Sequence, residues 1–224
     1  MIADNIGKLK ARIAAVCQSC GRQPEEITVV AVAKTRTAAE IEEALACGTL
    51  DIGENRVQEA VEKYKGIRDK GYGIRWHMVG RLQTNKVKEA VRIFDLIHSL
   101  DSLRLAQAID KEAVKLGKVQ DVLLEVKTSP EETKSGVSAA EAPALLRGLS
   151  ALANIKVRGL MTIAPQVTRP EQARPYFRLL RELRDKLATC DLRLTTLYMG
   201  MTDDFAAAVA EGATMLRIGR GIFG

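Results

Sequence analysis

The sequence predicts an α/β protein, a single (β/α)8 TIM-type barrel with an extra N-terminal helix. Strand-like and helix-like segments alternate along all 224 residues, eight candidate strands can be counted, and the connections are short. No Pro/Ser-rich linker or change of composition divides the chain, so residues 1–224 are expected to form one domain. The alternation by itself also fits an open, doubly wound parallel sheet.

The first predicted element is an amphipathic helix from about residue 5 to about residue 20. Its apolar residues recur at intervals of three and four: Ile6, Leu9, Ile13 and Val16. After the last predicted strand only residues 219–224 remain, so no helix is expected to follow that strand. We therefore expect the N-terminal helix to cover the resulting gap in the barrel.

The first predicted strand, residues 27–34, is rich in β-branched residues and apolar on both faces, as is typical of a parallel sheet. Thr37 and Glu40 form a capping box that opens a helix predicted to end at Gly48. Helical patterns separate the other candidate strands. Those strands are residues 50–53, 75–79, 94–98, 119–126, 155–163, 194–199 and 215–218.

Composition excludes several classes of function. The net charge is +6, but the basic residues are dispersed and only 4% of residues are aromatic, which argues against nucleic-acid binding as the main role. No apolar stretch approaches the roughly 20 residues of a membrane span. The N-terminus lacks the pattern of a secretory signal, so the expected location is the cytoplasm.

The cysteines predict reduced thiols rather than a disulfide framework, since there are only four and their spacing is uneven. Cys17 and Cys20 form a C-x-x-C motif, which can be half of a zinc site or a redox pair. No second C-x-x-C exists, and His77 and His98 are the only histidines. Two ordinary thiols at a helix end, and no metal site, are therefore expected.

Polar residues follow the predicted strands, at the end of a barrel where chemistry is usually carried out. Lys34 shares strand parity with Val30 and Val32, which predicts a side chain directed into the barrel mouth. One interpretation is a loop lysine whose ammonium reaches solvent. The other is an amine with a lowered pKa that forms a Schiff base with an aldehyde.

The loops after the last two strands resemble a phosphate site. Thr202 is expected at the start of a helix, Gly219 and Gly221 permit close approach of backbone amides, and Arg217 has inward parity. With Lys34, these residues suggest a phosphorylated aldehyde cofactor.

Other polar residues at the strand ends have ordinary explanations. Asp101, Ser102 and Asn55 are expected to cap helices, and both histidines to be hydrogen-bonded in the core or at the rim.

Several segments closely resemble the pyridoxal phosphate homeostasis proteins, also called the YggS/PROSC family. They are AVAKT at 31–35, GENRVQE at 53–59, WHMVGRLQTNK at 76–86, HSLDS at 98–102, KSGV at 134–137, GLM at 159–161 and RIG at 217–219. The resemblance spans nearly the whole chain. It implies one barrel of PLP fold type III, similar to the N-terminal domain of alanine racemase, that carries pyridoxal 5′-phosphate (PLP).

The resemblance also implies roles for individual residues. Lys34 holds PLP as an aldimine and Arg217 faces the pyridine nitrogen. The remaining contacts are to the phosphate, from Thr202, Gly219 and Arg220, and to the ring, from Asn55, His77 and Met199.

The sequence departs from the family pattern at three of its positions. Tyr198 stands where serine is expected, Thr202 replaces serine but keeps the hydroxyl, and Arg220 replaces a small residue.

Three functions remain open at this point. The resemblance implies a PLP carrier without robust catalysis that buffers PLP and supplies apo-enzymes, as a monomer rather than a stable oligomer. A PLP-dependent racemase needs a second acid/base, which alanine racemase takes from a C-terminal domain that this chain is expected to lack, and an arginine at the pyridine nitrogen weakens the electron sink. Only Tyr198 reopens that possibility. A cofactor-free aldolase acting through Lys34 is the third.

Overall fold

The computed structural model describes residues 1–67, 70–129, 131, 135–188 and 193–224. Within these residues, eight parallel strands form a closed ring, in which Thr28–Val32 pairs with Met215–Ile218 and Leu96–Leu100 pairs with Gln120–Lys127. The closed ring confirms the (β/α)8 barrel over the open sheet. The ring strands are β1 Thr28–Val32, β2 Asp51–Glu54, β3 Arg75–Met78, β4 Leu96–Leu100, β5 Gln120–Lys127, β7 Ile155–Met161, β8 Thr196–Met201 and β9 Met215–Ile218.

Helices surround the ring. Thr37 and Glu40 make the predicted capping box, and Gly48 follows the helix with φ +81°. Ser102 caps a later helix by accepting a hydrogen bond from the backbone N–H of Leu105 (3.3 Å), as expected. The helices are α1 Ile2–Ser19, α2 Ala38–Ala46, α3 Val57–Ile67, α4 Val87–Ile93, α5 Leu103–Lys115, α6 Ala142–Leu149, α7 Arg174–Ala188, α8 Phe205–Ala210 and α9 Arg220–Phe223.

The sequence analysis did not predict a two-residue strand and a one-turn helix. Strand β6, Val137–Ser138, pairs with β5 beside the ring. The expectation that no helix follows the last strand was wrong, because Gly219 is the N-cap of the one-turn helix α9, whose Ile222 and Phe223 are buried. Helix α1 does cover this part of the barrel: it packs on α8 and α9, and Asn5 Nδ2 donates to the carbonyl of Ile222 (3.0 Å).

The strands divide the core into two parts because alternate residues face opposite sides. One cluster fills the barrel interior, and a larger one lies between the strands and the helices. The predicted inward parity of the first strand is therefore correct for Val30 and Val32. The buried members of the interior cluster are Val30, Val32, Val79, Leu96, Leu123, Met161 and Tyr198.

No helix in the described part of the chain is long and apolar enough to cross a membrane. Among the same residues, no group of three or more His, Cys, Asp or Glu side chains is placed to hold a metal ion. Cys17, Cys20 and Cys47 are free thiols. Cys17 is fully buried, and burial raises the pKa of its thiol. Cys190 lies outside the described residues.

Candidate functional site

A cavity of about 190 Å³ opens at the carboxyl end of the barrel, at the loops that follow β2, β1, β9 and β8. These four strands are neighbours in the ring, so their carboxyl ends meet at one side of the mouth. Six of the eight predicted site residues line this cavity: Lys34, Asn55, Thr202, Arg217, Gly219 and Arg220.

A second cavity, about 680 Å³, lies at the opposite end of the barrel beside α1. It is larger but contains none of the predicted site residues; its charged side chains include Lys10, Glu25, Asp51 and Arg75. Because residues that act together must meet at one end of the barrel, the smaller cavity is the candidate site.

Lys34 lies two residues beyond the end of β1, and its side chain is exposed at the cavity. It sits in a tight turn in which the backbone N–H of Arg36 donates to the carbonyl of Ala33 (3.0 Å). Thr35, the next residue, has φ +62°, a backbone conformation that is rare for a β-branched residue. This turn, rather than the strand itself, presents the lysine.

Arg217, on β9, reaches the cavity from the barrel interior and is half-buried. It donates long hydrogen bonds to the carbonyl of Val79 (3.4 Å) and to the sulfur of Met201 (3.5 Å). It forms no salt bridge with any carboxylate of the described residues. Its guanidinium charge is therefore available to a ligand in the cavity.

The predicted phosphate loop is assembled from two distant segments. Thr202 does not begin a helix, as was expected; Asp204 occupies that position, and its carboxylate accepts from the backbone N–H of Met201. The Thr202 hydroxyl instead accepts from the backbone N–H of Gly221 (3.2 Å). A Cβ at Gly221 would lie 2.9 Å from Ile218 Cγ2, so glycine permits this close approach.

Arg220 is exposed and forms an ion pair with Asp203, which is equally exposed. Both residues line the cavity. The extra positive charge that the sequence places here is thus balanced by a neighbouring carboxylate.

Asn55 does not cap α3, contrary to expectation. Its side-chain oxygen is buried and has no hydrogen-bond partner among the described residues. The Asn55 backbone packs directly against Gly80. Only glycine permits this close approach, because a Cβ at Gly80 would lie 2.3 Å from the Asn55 carbonyl oxygen. Asn55 lines the cavity, and its unpartnered side-chain oxygen suits a ligand that donates a hydrogen bond.

His77 and Met199 are the two predicted ring contacts that do not line the cavity. His77 is buried, with Nε2 2.9 Å from Asp51 Oδ1 and Nδ1 2.9 Å from His98 Nε2, so both histidines are hydrogen-bonded core residues. Met199 packs in the outer core because strand alternation turns Tyr198 inward instead. Neither placement supports a contact with a ligand ring.

The sequence did not predict the polar column that this histidine pair forms inside the barrel. Arg75 binds Asp51 with two hydrogen bonds, and Asp51 binds His77. Burial raises the pKa of Asp51, but the bonds from Arg75 and His77 outweigh it and bring the value to about 2. Burial also lowers the pKa of His98, which is therefore neutral. One residue in the sequence could have indicated this column: Asp51 is a carboxylate that shares strand parity with Asn55.

Comparison with known proteins identifies the family and supports the fold. Residues 5–224 match the family model of the alanine racemase N-terminal domain. The chain is 45% identical over 222 residues, 99% of its length, to a pyridoxal phosphate homeostasis protein of Aquifex aeolicus, of which 96% is covered. A protein of the same name from Pseudomonas aeruginosa is 40% identical, with 100% of this chain and 95% of that protein covered.

The chain belongs to the pyridoxal phosphate homeostasis protein family. Membership in this family confirms the resemblance found in the sequence. Among solved structures, PipY of Synechococcus elongatus with PLP bound superposes with a TM-score of 0.89 at 38% identity, and each chain is covered completely. An alanine racemase of Clostridium difficile superposes at 0.77, with 19% identity, 99% of this chain and 56% of the racemase covered. At that identity the racemase shares the fold alone with this homeostasis-family chain.

Proposed function

We propose that this chain binds PLP in the cavity at the carboxyl end of the barrel and serves in PLP homeostasis, buffering the cofactor and supplying it to apo-enzymes. The observation that carries the proposal is the meeting of Lys34, Arg217 and Thr202 in one cavity. An amine, an unpaired guanidinium and a hydroxyl next to a glycine loop match the aldehyde, the ring nitrogen and the phosphate of PLP.

The residues present fit this cofactor. Asn55 offers a buried oxygen that lacks a partner among the described residues, and buried polar groups normally have one. Arg217 forms no salt bridge with a carboxylate of the described residues, and its hydrogen bonds to the Val79 carbonyl and the Met201 sulfur are long. A Cβ at Gly221 would lie 2.9 Å from Ile218 Cγ2 and 3.2 Å from Thr202 Cγ2, so glycine at this position lets the backbone N–H approach the Thr202 hydroxyl.

Bound PLP supplies an aldehyde that condenses reversibly with a primary amine. Lys34 provides that amine, while Thr202, Gly219 and Arg220 hold the phosphate. Arg217 only donates hydrogen bonds, because a guanidinium does not lose its proton in proteins. It therefore favours an unprotonated ring nitrogen and gives little help to carbanion chemistry.

We further propose that the protein holds and releases PLP without appreciable turnover. Proton transfer at an amino acid needs a general base within hydrogen-bond reach of the proton. Tyr198 does not meet this need: its side chain is 2% exposed, and burial raises the pKa of its phenol far above neutrality.

One observation favours the alternative, a PLP-dependent racemase. Glu125 lies on β5, four strands from β1 in either direction around the ring, and is buried on the interior side. Burial raises the pKa of this carboxyl, and Ser135 Oγ donates to it (2.7 Å). Glu125 is thus the candidate for a second acid that the racemase alternative requires, and the sequence did not reveal it.

Exchange of the α-proton in deuterated water separates the two functions. The carrier predicts exchange of amino acids no faster than with free PLP. Rapid exchange that is lost in Glu125→Gln, or in Tyr198→Phe, would establish an enzyme and name its second base.

The covalent site is tested by borohydride reduction of the PLP-loaded protein and peptide mapping. We expect the pyridoxyl group on Lys34 and its loss in Lys34→Ala, with Lys65→Ala, an exposed lysine of α3, as the control. Labelling of another lysine alone, such as Lys134, which lies outside the described residues, contradicts the assignment. Absence of any bound cofactor favours the aldolase.

Delivery to an apo-enzyme can be measured while a phosphatase destroys free PLP. Activation that survives the phosphatase supports direct transfer, whereas complete loss indicates transfer through solution. We also propose that residues 1–224 act as one domain, as a cytoplasmic monomer. Size-exclusion chromatography tests the monomeric state, and cell fractionation tests the cytoplasmic location.

A further inference from the structure

We propose that Lys63 and Glu54 are positioning residues that hold the turn carrying Lys34 in the geometry needed to capture the aldehyde. The proposal rests on the proposed role of Lys34. It concerns two side chains that do not line the cofactor cavity and that the motifs of the sequence did not single out for this role.

The turn after β1 is strained. Its central residues are Lys34 and Thr35, and Thr35 has φ +62° although it is β-branched. The Thr35 hydroxyl donates to the carbonyl of Lys34 (2.6 Å), a bond within the turn itself. Strained backbone persists only where the surrounding structure enforces it, and such residues concentrate at functional sites. Contacts from outside the turn must therefore hold it.

Lys63 supplies the principal outside contact. It lies on α3, is 13% exposed, and its ammonium donates to the carbonyl of Ala33 at 2.6 Å and to Glu54 Oε1 at 2.7 Å. The backbone N–H of Ala33 donates to the carbonyl of Gly53 (2.9 Å). The residue that immediately precedes Lys34 is thus fixed at both its N–H and its carbonyl.

Glu54 fixes Lys63 in turn. It ends β2, its side chain is fully buried, and its second carboxylate oxygen has no partner among the described residues. A buried ion pair of this kind is weak support for stability, because desolvation of the two charges offsets their attraction. Stability therefore does not account for the Lys63–Glu54 pair. Its contact with the carbonyl of Ala33 instead indicates that it positions the turn that carries Lys34.

A fixed backbone beside Lys34 reduces the conformational entropy that this residue loses when it reacts. The Lys34 side chain is long and exposed, so its own packing does not orient it. Orientation from a rigid backbone is a large part of the advantage of a reaction within a protein site. Release of the turn is therefore expected to weaken PLP capture even if the fold is intact.

The experiment compares the double variant Glu54→Gln/Lys63→Met with each single variant, with Lys63→Arg and with Lys65→Met as the exposed control on α3. Each single variant leaves one buried charge without its counter-charge and is expected to lower the Tm of the cofactor-free protein. The double variant removes both charges and is expected to recover most of the Tm. The double variant therefore distinguishes an effect on folding from an effect on the position of Lys34.

The expected result is that the double variant, despite its recovered Tm, has a PLP Kd raised about tenfold and a weaker induced circular dichroism of the bound cofactor. Amide exchange in the cofactor-free protein is expected to accelerate in the peptide that covers residues 33–36. Lys63→Arg, which keeps a donor, restores part of the affinity. Lys65→Met matches the wild type.

Wild-type PLP affinity and wild-type exchange of residues 33–36 in the double variant would overturn the positioning role. That outcome leaves the proposed function intact, provided the wild type is labelled at Lys34 by borohydride. Failure of the wild type to be labelled there contradicts the proposed function itself, whatever the variants show.

Discussion

Tyr198 packs edge-on against His98 in the barrel interior, with ring centroids 4.2 Å apart and ring planes at 75°. Both side chains are buried, and the phenol oxygen has no hydrogen-bond partner among the described residues. Burial raises the pKa of the phenol and lowers that of the imidazole, so both groups are neutral at physiological pH. The position that departs most from the family pattern is thus occupied by a core aromatic residue.

Tyr198→Phe is expected to leave stability within about 1 kcal/mol of the wild type, because it removes a buried hydroxyl that lacks a described partner. Tyr198→Ala removes the ring and is expected to cost about 3–5 kcal/mol. Urea unfolding of the cofactor-free proteins measures both. A loss from Tyr198→Phe as large as that from Tyr198→Ala would mean that the hydroxyl, rather than the ring, is what the fold uses.

Thr202→Val is expected to weaken PLP binding by about 1.5–3 kcal/mol and to leave binding of unphosphorylated pyridoxal nearly unchanged. The hydroxyl would form a charge-assisted hydrogen bond with the phosphate, which pyridoxal lacks. Titration of visible absorbance with each ligand gives the two affinities, and Thr202→Ser, which keeps the hydroxyl, is the control. Equal losses for both ligands would show that Thr202 acts through folding.

Asp203→Asn is expected to strengthen PLP binding severalfold. Asp203 pairs with Arg220 at the cavity, so removal of its charge frees the guanidinium for the phosphate. Arg220→Met is expected to weaken PLP more than pyridoxal. The effect of Asp203→Asn should disappear when Arg220 is already methionine, and its persistence would rule out the ion pair as the cause.

Gly80→Ala is expected to lower both stability and PLP affinity, since the new Cβ would lie 2.3 Å from the carbonyl oxygen of Asn55 and force that wall of the cavity to move. The expected loss of stability is about 1–3 kcal/mol. Gly66→Ala, in open space on α3, is the matched control and is expected to stabilise by up to about 1 kcal/mol. Thermal unfolding and PLP titration of both variants test this placement; unchanged affinity in Gly80→Ala would contradict it.

Asp51 is expected to make stability fall in acid. Its pKa of about 2 in the folded protein lies below its ordinary value of 3.8, so its contribution is complete above about pH 4 and is lost as the pH falls toward 2. The shift corresponds to about 2 kcal/mol at neutral pH. Asp51→Asn should therefore be less stable than the wild type near neutrality, and the gap should narrow in acid.

Urea unfolding at several pH values measures that gap, with the exposed Asp4→Asn as the control. A gap that stays constant from neutrality to about pH 2.5 would show that Asp51 stabilises the fold by some means other than its charge.

The elements of the fold were predictable because their signals are local. The capping box of Thr37 and Glu40, the cap at Ser102 and the parity of Val30 and Val32 each depend on residues a few positions apart. Helix α9 was not predicted, because a single turn has too few residues to show a periodic pattern.

The candidate site was predictable only in part. Strand parity and the order of the strands bring Lys34, Arg217 and Gly219 to the same end of the barrel, and the resemblance supplied their roles. The same reasoning misplaced Thr202 as a helix start and Asn55 as a cap. The surroundings of these two residues come from segments distant in sequence: the backbone N–H of Gly221 donates to the Thr202 hydroxyl, and Gly80 packs against the Asn55 backbone.

The sequence by itself determined the barrel, its family and the end of the barrel at which Lys34 lies, since periodicity and motif residues carry that information along one stretch of chain. Only the tertiary structure decided which polar groups are paired. Asp203 balances Arg220, Asp51 holds His77, and Lys63 reaches back to the carbonyl of Ala33. These contacts depend on how neighbouring strands and helices align, and alignment between distant segments is not encoded in the spacing of residues within either one.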